Sequence, residues 1–575
     1  MGYETPVMRG AARLSAQNGP ETPHGHLPAP FARTGPPPGV GSHDGCGICA
    51  AGRHRSCNGR PEQALESCCV NMRTGSGRRR RIQDIVQKPW TQLVNPWVRL
   101  RLISDDEVEA IHLAALDILE RIGVRCQVPE ARALFAAAGA IVDESDGRVR
   151  LGRDIIEAAL CTVPSEITLT PRNPNRAVTL GGDHLTTAAV LGPPNCTDLL
   201  RGRRSGSLAD LGELLKLTQV FNAVQMNGWP VEPLDVEVKN RHLDAAFAML
   251  TLTDKVPYVF CQSRQRIADV LAMCAMARGQ SLEQFATRPG VFSIINTNTP
   301  LQYDVPMTIG VMDMARYGQP VLLTPFIMAG ASTPATIASA MALNTAEVLF
   351  GVALGQLVRP GAPALYGCAA VNVDMKTGAP AYGLADMHRC TVIGGQMARR
   401  YNMPMRSSNF SASNIPDFAS GYESAGAVYA ALNSGAHLIM HAAGWVEGGL
   451  CTSYEKFVLD CEIVQTAMQM LEPVAINRDT LALDEIEAVG PGGHFFGTER
   501  TIATFETAFY RPLVSATQNY GAWLEDGGKT ATERATAVWQ EALNIYAEPE
   551  LDPAIREALS AFVARRKEQG GAPID

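Results

Sequence analysis

The feature that most constrains this sequence is a rhythm between residues 185 and 443, where eight short apolar runs are separated by segments of helical length. The runs are 185–193 (LTTAAVLGP), 223–229 (AVQMNGW), 256–262 (VPYVFCQ), 290–296 (GVFSIIN), 320–327 (PVLLTPFI), 363–369, 404–410 and 437–443. Helix-like segments lie between them, for example 207–220, 238–252, 305–317, 335–357 and 423–433. Runs without a polar face suit strands buried on both sides, and helix-length crossovers join such strands in parallel. Eight units over about 290 residues predict an α/β fold, a TIM (β/α)8 barrel. A doubly wound sheet is the alternative, because alternation does not establish closure.

In parallel α/β folds the chemistry gathers at the carboxyl ends of the strands. The last three runs end in polar clusters: Asn372 and Asp374, then Asn409 and Asn414, then His441, Trp445 and Glu447. Glu447, His441 and Asp374 are the candidate catalytic residues, and Trp445, Trp229, Tyr366, Asn409 and His494 the candidate substrate-binding residues. A carboxylate beside an aromatic ring attracts a cation through its charge and the ring quadrupole. Glu447 near Trp445, with Trp229 and Tyr366 as further walls, therefore predicts a pocket for a quaternary ammonium group. The competing structural reading makes His441 a satisfied core histidine, pairs Glu447 with an arginine, and gives Asp374 to a turn. His494, in a glycine-rich turn ahead of a helix, can cap, bind an anion or donate to a substrate carboxylate. Glu347, inside a long helix, is read as structural. The sequence has no P-loop, no GxGxxG after a strand, no HExxH and no GxSxG, so nucleotide and serine-hydrolase chemistry lack support. No metal site is assigned to the folded part.

The first 92 residues differ from the rest: Pro and Gly recur, arginine dominates the charge, and apolar periodicity is absent. A low-complexity extension without a packed core is expected there. Within it, Cys46, Cys49, His54 and Cys57 have a spacing similar to a zinc knuckle; the reading without metal is favoured. Residues 93–180 read as a helical and hairpin subdomain, 181–472 as the barrel, and 473–575 as a C-terminal helical region packed on it. Of the 14 cysteines, five lie before residue 70 and the remaining nine are scattered singly, as in a reducing compartment rather than a disulfide framework. A net charge of -8 argues against nucleic-acid binding, and no run of roughly 20 apolar residues indicates a membrane span. A cytoplasmic protein without nucleic-acid or membrane partners is expected.

Several stretches are familiar: MAGASTPATIASAMALNTAEVLFGVALGQLVRPGAPALYG, the VDMKTG turn, GYES, LCTSYEKFVLDCEIV and GPGGHFFGTERTI. Over about residues 100–560 the chain resembles the trimethylamine methyltransferase family, TIM barrels that move a methyl group from a methylated amine to the cobalt of a separate corrinoid protein. Archaeal trimethylamine enzymes carry pyrrolysine in the barrel, whereas this chain uses only the standard residues. The resemblance thus implies the non-pyrrolysine branch, whose donors include glycine betaine and related betaines. It also implies a cognate corrinoid (cobalamin) protein as partner, a quaternary amine as substrate, and no cofactor tightly bound to this chain. A homo-oligomer is expected. On this reading Glu447, Trp445, Trp229 and Tyr366 hold the ammonium head, and His494 or Asn409 a substrate carboxylate. Transfer to another acceptor such as a pterin, or a catalytically inactive betaine-binding barrel, are the alternatives.

Overall fold

Short strands rich in Val, Ile and Leu pair side by side through the middle of the chain. In the computed structural model, which describes residues 85–574, six of them are β1 (His184–Thr187), β2 (Ser293–Ile295), β3 (Val321–Leu323), β4 (Ala364–Gly367), β5 (Met405–Ser408) and β6 (Leu438–Met440). The spacing Cys46, Cys49, His54 and Cys57 lies outside the described residues. β2 to β6 pair in sequence order, all parallel, and β6 pairs in parallel with β1. The predicted strands at 223–229 and 256–262 appear as single parallel bridges, Ala188 with Met226, Met226 with Val256, and Tyr258 with Phe292. Pro230 and Pro257 lack the amide hydrogen a longer ladder needs. The succession of parallel neighbours thus leaves β1, passes Met226, Val256 and Tyr258, runs through β2 to β6 and returns to β1.

Between the strands lie helices with side-chain caps at their N-termini. Ser207 caps Leu208–Val220, Asp304 caps Val305–Arg316, Thr336 caps Ile337–Val358, Asp417 caps Phe418–Ser434 and Ser453 caps Tyr454–Leu471. The helix Ile337–Val358 is long and apolar enough to cross a membrane, but 83% of its most apolar window is buried inside the protein. Helices Asp105–Asp117, Pro129–Ala137 and Arg153–Leu160 pack around it. Its side chains are apolar all round because protein surrounds it all round.

Packing begins upstream of residue 93. Gln87 donates to the Val220 carbonyl at 2.9 Å and accepts from the Asn222 amide at 2.8 Å, while Leu93–Val94 pairs antiparallel with β1. The described residues all fall within one unit, Arg79–Asp575. At the other end, Ala531–Ile545 lies against Tyr454–Leu471, and Pro553–Glu568 against Val238–Leu252 and Arg264–Ala277. The intervening short helices Arg478–Leu481, Leu483–Val489, Glu499–Thr504 and Tyr520–Glu525 contain no buried residue. Phe496, Phe505 and Phe509 are exposed there. The nine described cysteines are free, and all but Cys161 are buried.

The strands sit close because small residues let them. Gly367, at the end of β4, has no side chain where one would collide with the Leu323 carbonyl of β3 and with Thr324 just after it. Gly367→Ala is expected to destabilise the protein by about 1–3 kcal/mol, read as a lower urea midpoint at an unchanged slope. An unchanged midpoint would mean that the two strands have room to spare.

Candidate active site

A cavity of about 480 Å³ lies at the carboxyl ends of the parallel strands. Leu191 and Gly192 reach it beyond β1, Ile294 and Asn296 from β2, Thr324 and Phe326 from β3, Ala369 from beyond β4, Arg406 and Phe410 from β5, and His441 and Trp445 from the loop after β6. A larger groove of about 930 Å³ lies between the helices Asp105–Asp117 and Ile337–Val358, and its lining is mostly apolar without aromatic rings. The central cavity instead combines aromatic rings with buried polar atoms that have no hydrogen-bond partner among the described residues, the pattern of a small-molecule site.

Its wall is aromatic. Phe410 has its ring centroid 4.6 Å from that of Tyr382 and 5.0 Å from that of Trp445, and Phe326 lies 6.1 Å from Tyr382. Tyr258 and Phe260 line the opposite side with centroids 5.9 Å apart, and Trp229 backs Phe260 at 5.8 Å. Ring faces and edges at these separations offer several quadrupoles to one small ligand. Among the described residues, no Asp or Glu lines the cavity.

Two basic side chains share the wall with the rings. Arg406, in β5, is 1% exposed, and its guanidinium lies 5.7 Å from the Phe410 ring centroid. Its Nε and Nη1 have no hydrogen-bond partner among the described residues. Burial lowers its pKa to about 10, so it is still charged at neutral pH. Its neighbours Cys368, Tyr382 and Tyr258 are neutral there, because burial pushes the thiol up to about 11 and both phenols well above their usual value. His441 stacks on Phe410 at 5.0 Å and bonds through Nδ1 to the Ser408 hydroxyl at 3.1 Å. Burial, reinforced by Arg406, holds its imidazole well below the ordinary value, so it is neutral.

Buried carboxylates shape the loops that carry the rings. Glu423 accepts hydrogen bonds from the Ser411 hydroxyl at 2.6 Å, the Ala412 amide at 3.0 Å, and the Ser413 amide and hydroxyl at 3.1 and 2.9 Å. That fixes the turn just after Phe410. The Glu423 side chain also fills the space beside Gly383, where a Cβ would collide, and Gly383 follows Tyr382 at φ +70°. Asp460 accepts from the Gly444 amide at 2.8 Å and pairs with Lys456 at 2.5 Å, and Lys456 also donates to Ser424. Trp445–Val446 pairs with Cys451–Ser453, which pairs in turn with Asn195–Thr197. Gly449, at φ +100°, packs against the Trp445 ring where any side chain would clash.

Of the residues singled out from sequence, the structure brings Trp445 and His441 into the cavity wall and places Trp229 directly behind it. The others lie elsewhere. Glu447 faces away and is held by Arg203 at 2.9 and 3.0 Å. The expected acidic wall is therefore absent: His441, Gly444 and Glu447 all have positive φ, so the chain between them turns rather than continuing as a strand with alternating faces. Asp374 sits in an exposed turn, accepting from the Lys376 amide and the Thr377 hydroxyl. Tyr366 is wholly buried beneath the cavity, with its hydroxyl 2.8 Å from that of Thr345. Asn409 is buried with its amide donating to the Ala442 carbonyl at 3.2 Å, and His494 is exposed in the 490–497 turn. Glu347 braces the 297–301 loop through Thr297, Thr299 and the Leu301 amide.

Sequence reasoning missed Arg406, Phe410, Tyr382, Phe326, Tyr258 and Phe260. An arginine inside the apolar run MPMRSSNF was a readable signal, as were Tyr258 and Phe260 two residues apart and so on one strand face. Tyr382 lies in a loop with no such signal. Among the described residues no group of three or more His, Cys, Asp or Glu is arranged to hold a metal ion.

Fold and cavity define a parallel α/β protein with an aromatic-lined cavity at its strand ends. A family model described as trimethylamine methyltransferase (MTTB) matches residues 71–571, and the chain belongs to that family. It is 33% identical over 475 residues to the glycine betaine methyltransferase of Desulfitobacterium hafniense strain Y51, covering 82% of this chain and 98% of that relative. It is 26% identical to the trimethylamine methyltransferase MttB of Desulfitobacterium hafniense strain DSM 10664 / DCB-2, covering 81% of this chain and 94% of the relative. The trimethylamine methyltransferase MttB2 of Methanosarcina mazei is 25% identical, with 81% and 95% covered. A solved structure titled as the hydroxylamine MtmB complex matches with a TM-score of 0.39 and 13% identity, covering 80% of this chain and 94% of that one, a likeness too distant to bear on the fold.

Lys456→Met leaves Asp460 buried without its cation and is expected to cost about 3–5 kcal/mol, seen as a lower melting temperature. His441 should remain unprotonated at pH 6.5, where an ordinary histidine is half protonated. A histidine side-chain NMR titration with a midpoint for His441 near 6.5 would contradict its burial.

Proposed function

We propose that this protein takes a methyl group from a betaine-type quaternary amine and delivers it to the Co(I) of a corrinoid held by a separate protein. We read the ring of parallel neighbours as a (β/α)8 barrel, with the cavity at its carboxyl-terminal mouth. The observation that carries the functional reading is the aromatic wall of that cavity, in a chain 33% identical to a glycine betaine methyltransferase.

The chemistry asks little of the protein beyond placement. A quaternary ammonium releases a neutral tertiary amine, and the pair of electrons of the broken C–N bond stays on nitrogen, so no proton needs to be supplied. The wall accords with this, since it has no carboxylic acid and its histidine is neutral. Tyr382, Phe410, Trp445 and Phe326 hold the methylated head through ring quadrupoles, and Tyr258 and Phe260 close the far side. His441, stacked on Phe410 and tilted against Trp445, keeps those rings in position. Trp229 supports Phe260 from behind. Glu447, through Arg203, fixes the loop that carries Trp445. Positioning of one methyl toward the mouth converts a bimolecular encounter into an oriented one.

A bound corrinoid supplies a two-electron Co(I) nucleophile. A cavity of about 480 Å³ suits the small donor and would leave a corrinoid outside it. Rings that held the cation more tightly in the ground state than in the transition state would slow transfer, so shape matters more here than added charge.

The test is methylation of Co(I) cobalamin, free or on its cognate protein, followed by its visible spectrum with glycine betaine, proline betaine, carnitine, choline and trimethylamine as donors. Appearance of the methylated corrinoid with a quaternary donor is expected. Trp445→Ala should raise KM for that donor about tenfold, the scale of a desolvated cation–π contact. Methyl transfer to a reduced pterin alone would replace the corrinoid, and binding without transfer to any acceptor would remove the transferase reading.

A further inference from the structure

The cavity that surrounds a cation-binding set of rings also contains a cation of its own. Arg406 is charged, 1% exposed and on the cavity wall, yet neither Nε nor Nη1 has a partner among the described residues. Burying a guanidinium without an anion is costly. The groups around it do not repay that cost: Cys368, Tyr258 and Tyr382 are neutral, and no carboxylate lines the cavity. Its contact with Phe410 compensates only in part. The wall therefore presents aromatic faces suited to a positive group beside a fixed positive charge suited to a negative one. A ligand that is only cationic, such as choline or protonated trimethylamine, would meet Arg406 with nothing to offset the repulsion. A zwitterion satisfies both.

We propose that Arg406 is the substrate's carboxylate anchor, and that it restricts this site to small zwitterions bearing a quaternary ammonium and a carboxylate. The guanidinium offers a planar fork of donors matched to a carboxylate. Its place on β5, one strand from β6 and five residues before the Glu423-braced turn begins, makes the anchor part of a rigid element. Gly367 stands directly opposite Arg406 across the β4–β5 pair, with no side chain of its own to crowd the guanidinium. His494 and Asn409, the groups expected from sequence to take the carboxylate, lie outside the cavity wall. The inference rests on the methyl-donor reading for the identity of the cation, but its own readout is binding.

Isothermal titration calorimetry of the full-length protein with glycine betaine, its methyl ester and choline provides the test. Glycine betaine is expected to bind about 100-fold more tightly than either ligand lacking the carboxylate, the scale of a desolvated charge pair. Equal or tighter binding of the ester or choline overturns the proposal, and this arm needs no variant. In folded Arg406→Gln, affinity for glycine betaine should fall about 100-fold while that for choline holds or rises, and Arg406→Lys should recover part of the loss. Parallel losses for both ligands would make Arg406 merely structural and overturn it. The two readings fail separately. Arg406-dependent betaine binding without methyl transfer to any acceptor leaves the anchor standing and removes the transferase reading. Methyl transfer from choline with no preference for betaine does the reverse.

Discussion

Parallel pairing is the constraint on which the structure depends. β1 to β6 hydrogen-bond to one another running the same way, so their carboxyl ends emerge on one side. Side chains distant in sequence, such as Phe260, Phe326, Arg406 and Trp445, therefore meet around one hollow. The pairing also demands apolar residues on both strand faces and close approach between strands, as at Gly367. A polar side chain at such a strand end is costly unless it is bonded or serves a ligand. Arg406 is the place in the cavity wall where that demand is left open.

Two sets of groups divide the work around the hollow. Rings and the guanidinium face inward. Glu423, Asp460, Lys456 and Glu447 face into the loops, where they gather amides, hydroxyls and ammonium or guanidinium groups that would otherwise be unsatisfied. Acidic residues are thus plentiful near the site without touching the space a ligand would fill. The aromatic surface stays free of fixed negative charge, and its attraction for a cation comes from quadrupoles alone.

Much of the secondary structure was legible from sequence because its signals are local. Apolar runs separated by segments of helical length predicted β2 to β6, and the helices at 207–220 and 238–252 fell where expected. The candidate site was legible only in part. Trp445 and His441 were found because they follow a recognisable strand, but the direction of Glu447 depends on left-handed turns at His441 and Gly444 that period-two reasoning does not foresee. Asp374 and Tyr366 have the right residue types and the wrong surroundings, a solvent-exposed turn and a buried hydroxyl pair. Arg406 was overlooked because a charge inside an apolar strand reads as an interruption until its unpaired nitrogens are seen. Tyr382 reaches the cavity from a loop whose path is set by Gly383 and Glu423, a tertiary arrangement with no local trace.

The stretches by which the chain is recognised as a family member have their own place in this division. GYES supplies Glu423, and SYEKFVLD supplies Lys456 and Asp460. These residues hold loops in shape and stand behind the ligand's space rather than in it. A change of an inward-facing ring or charge can therefore alter what the cavity accepts without rebuilding the loops behind it.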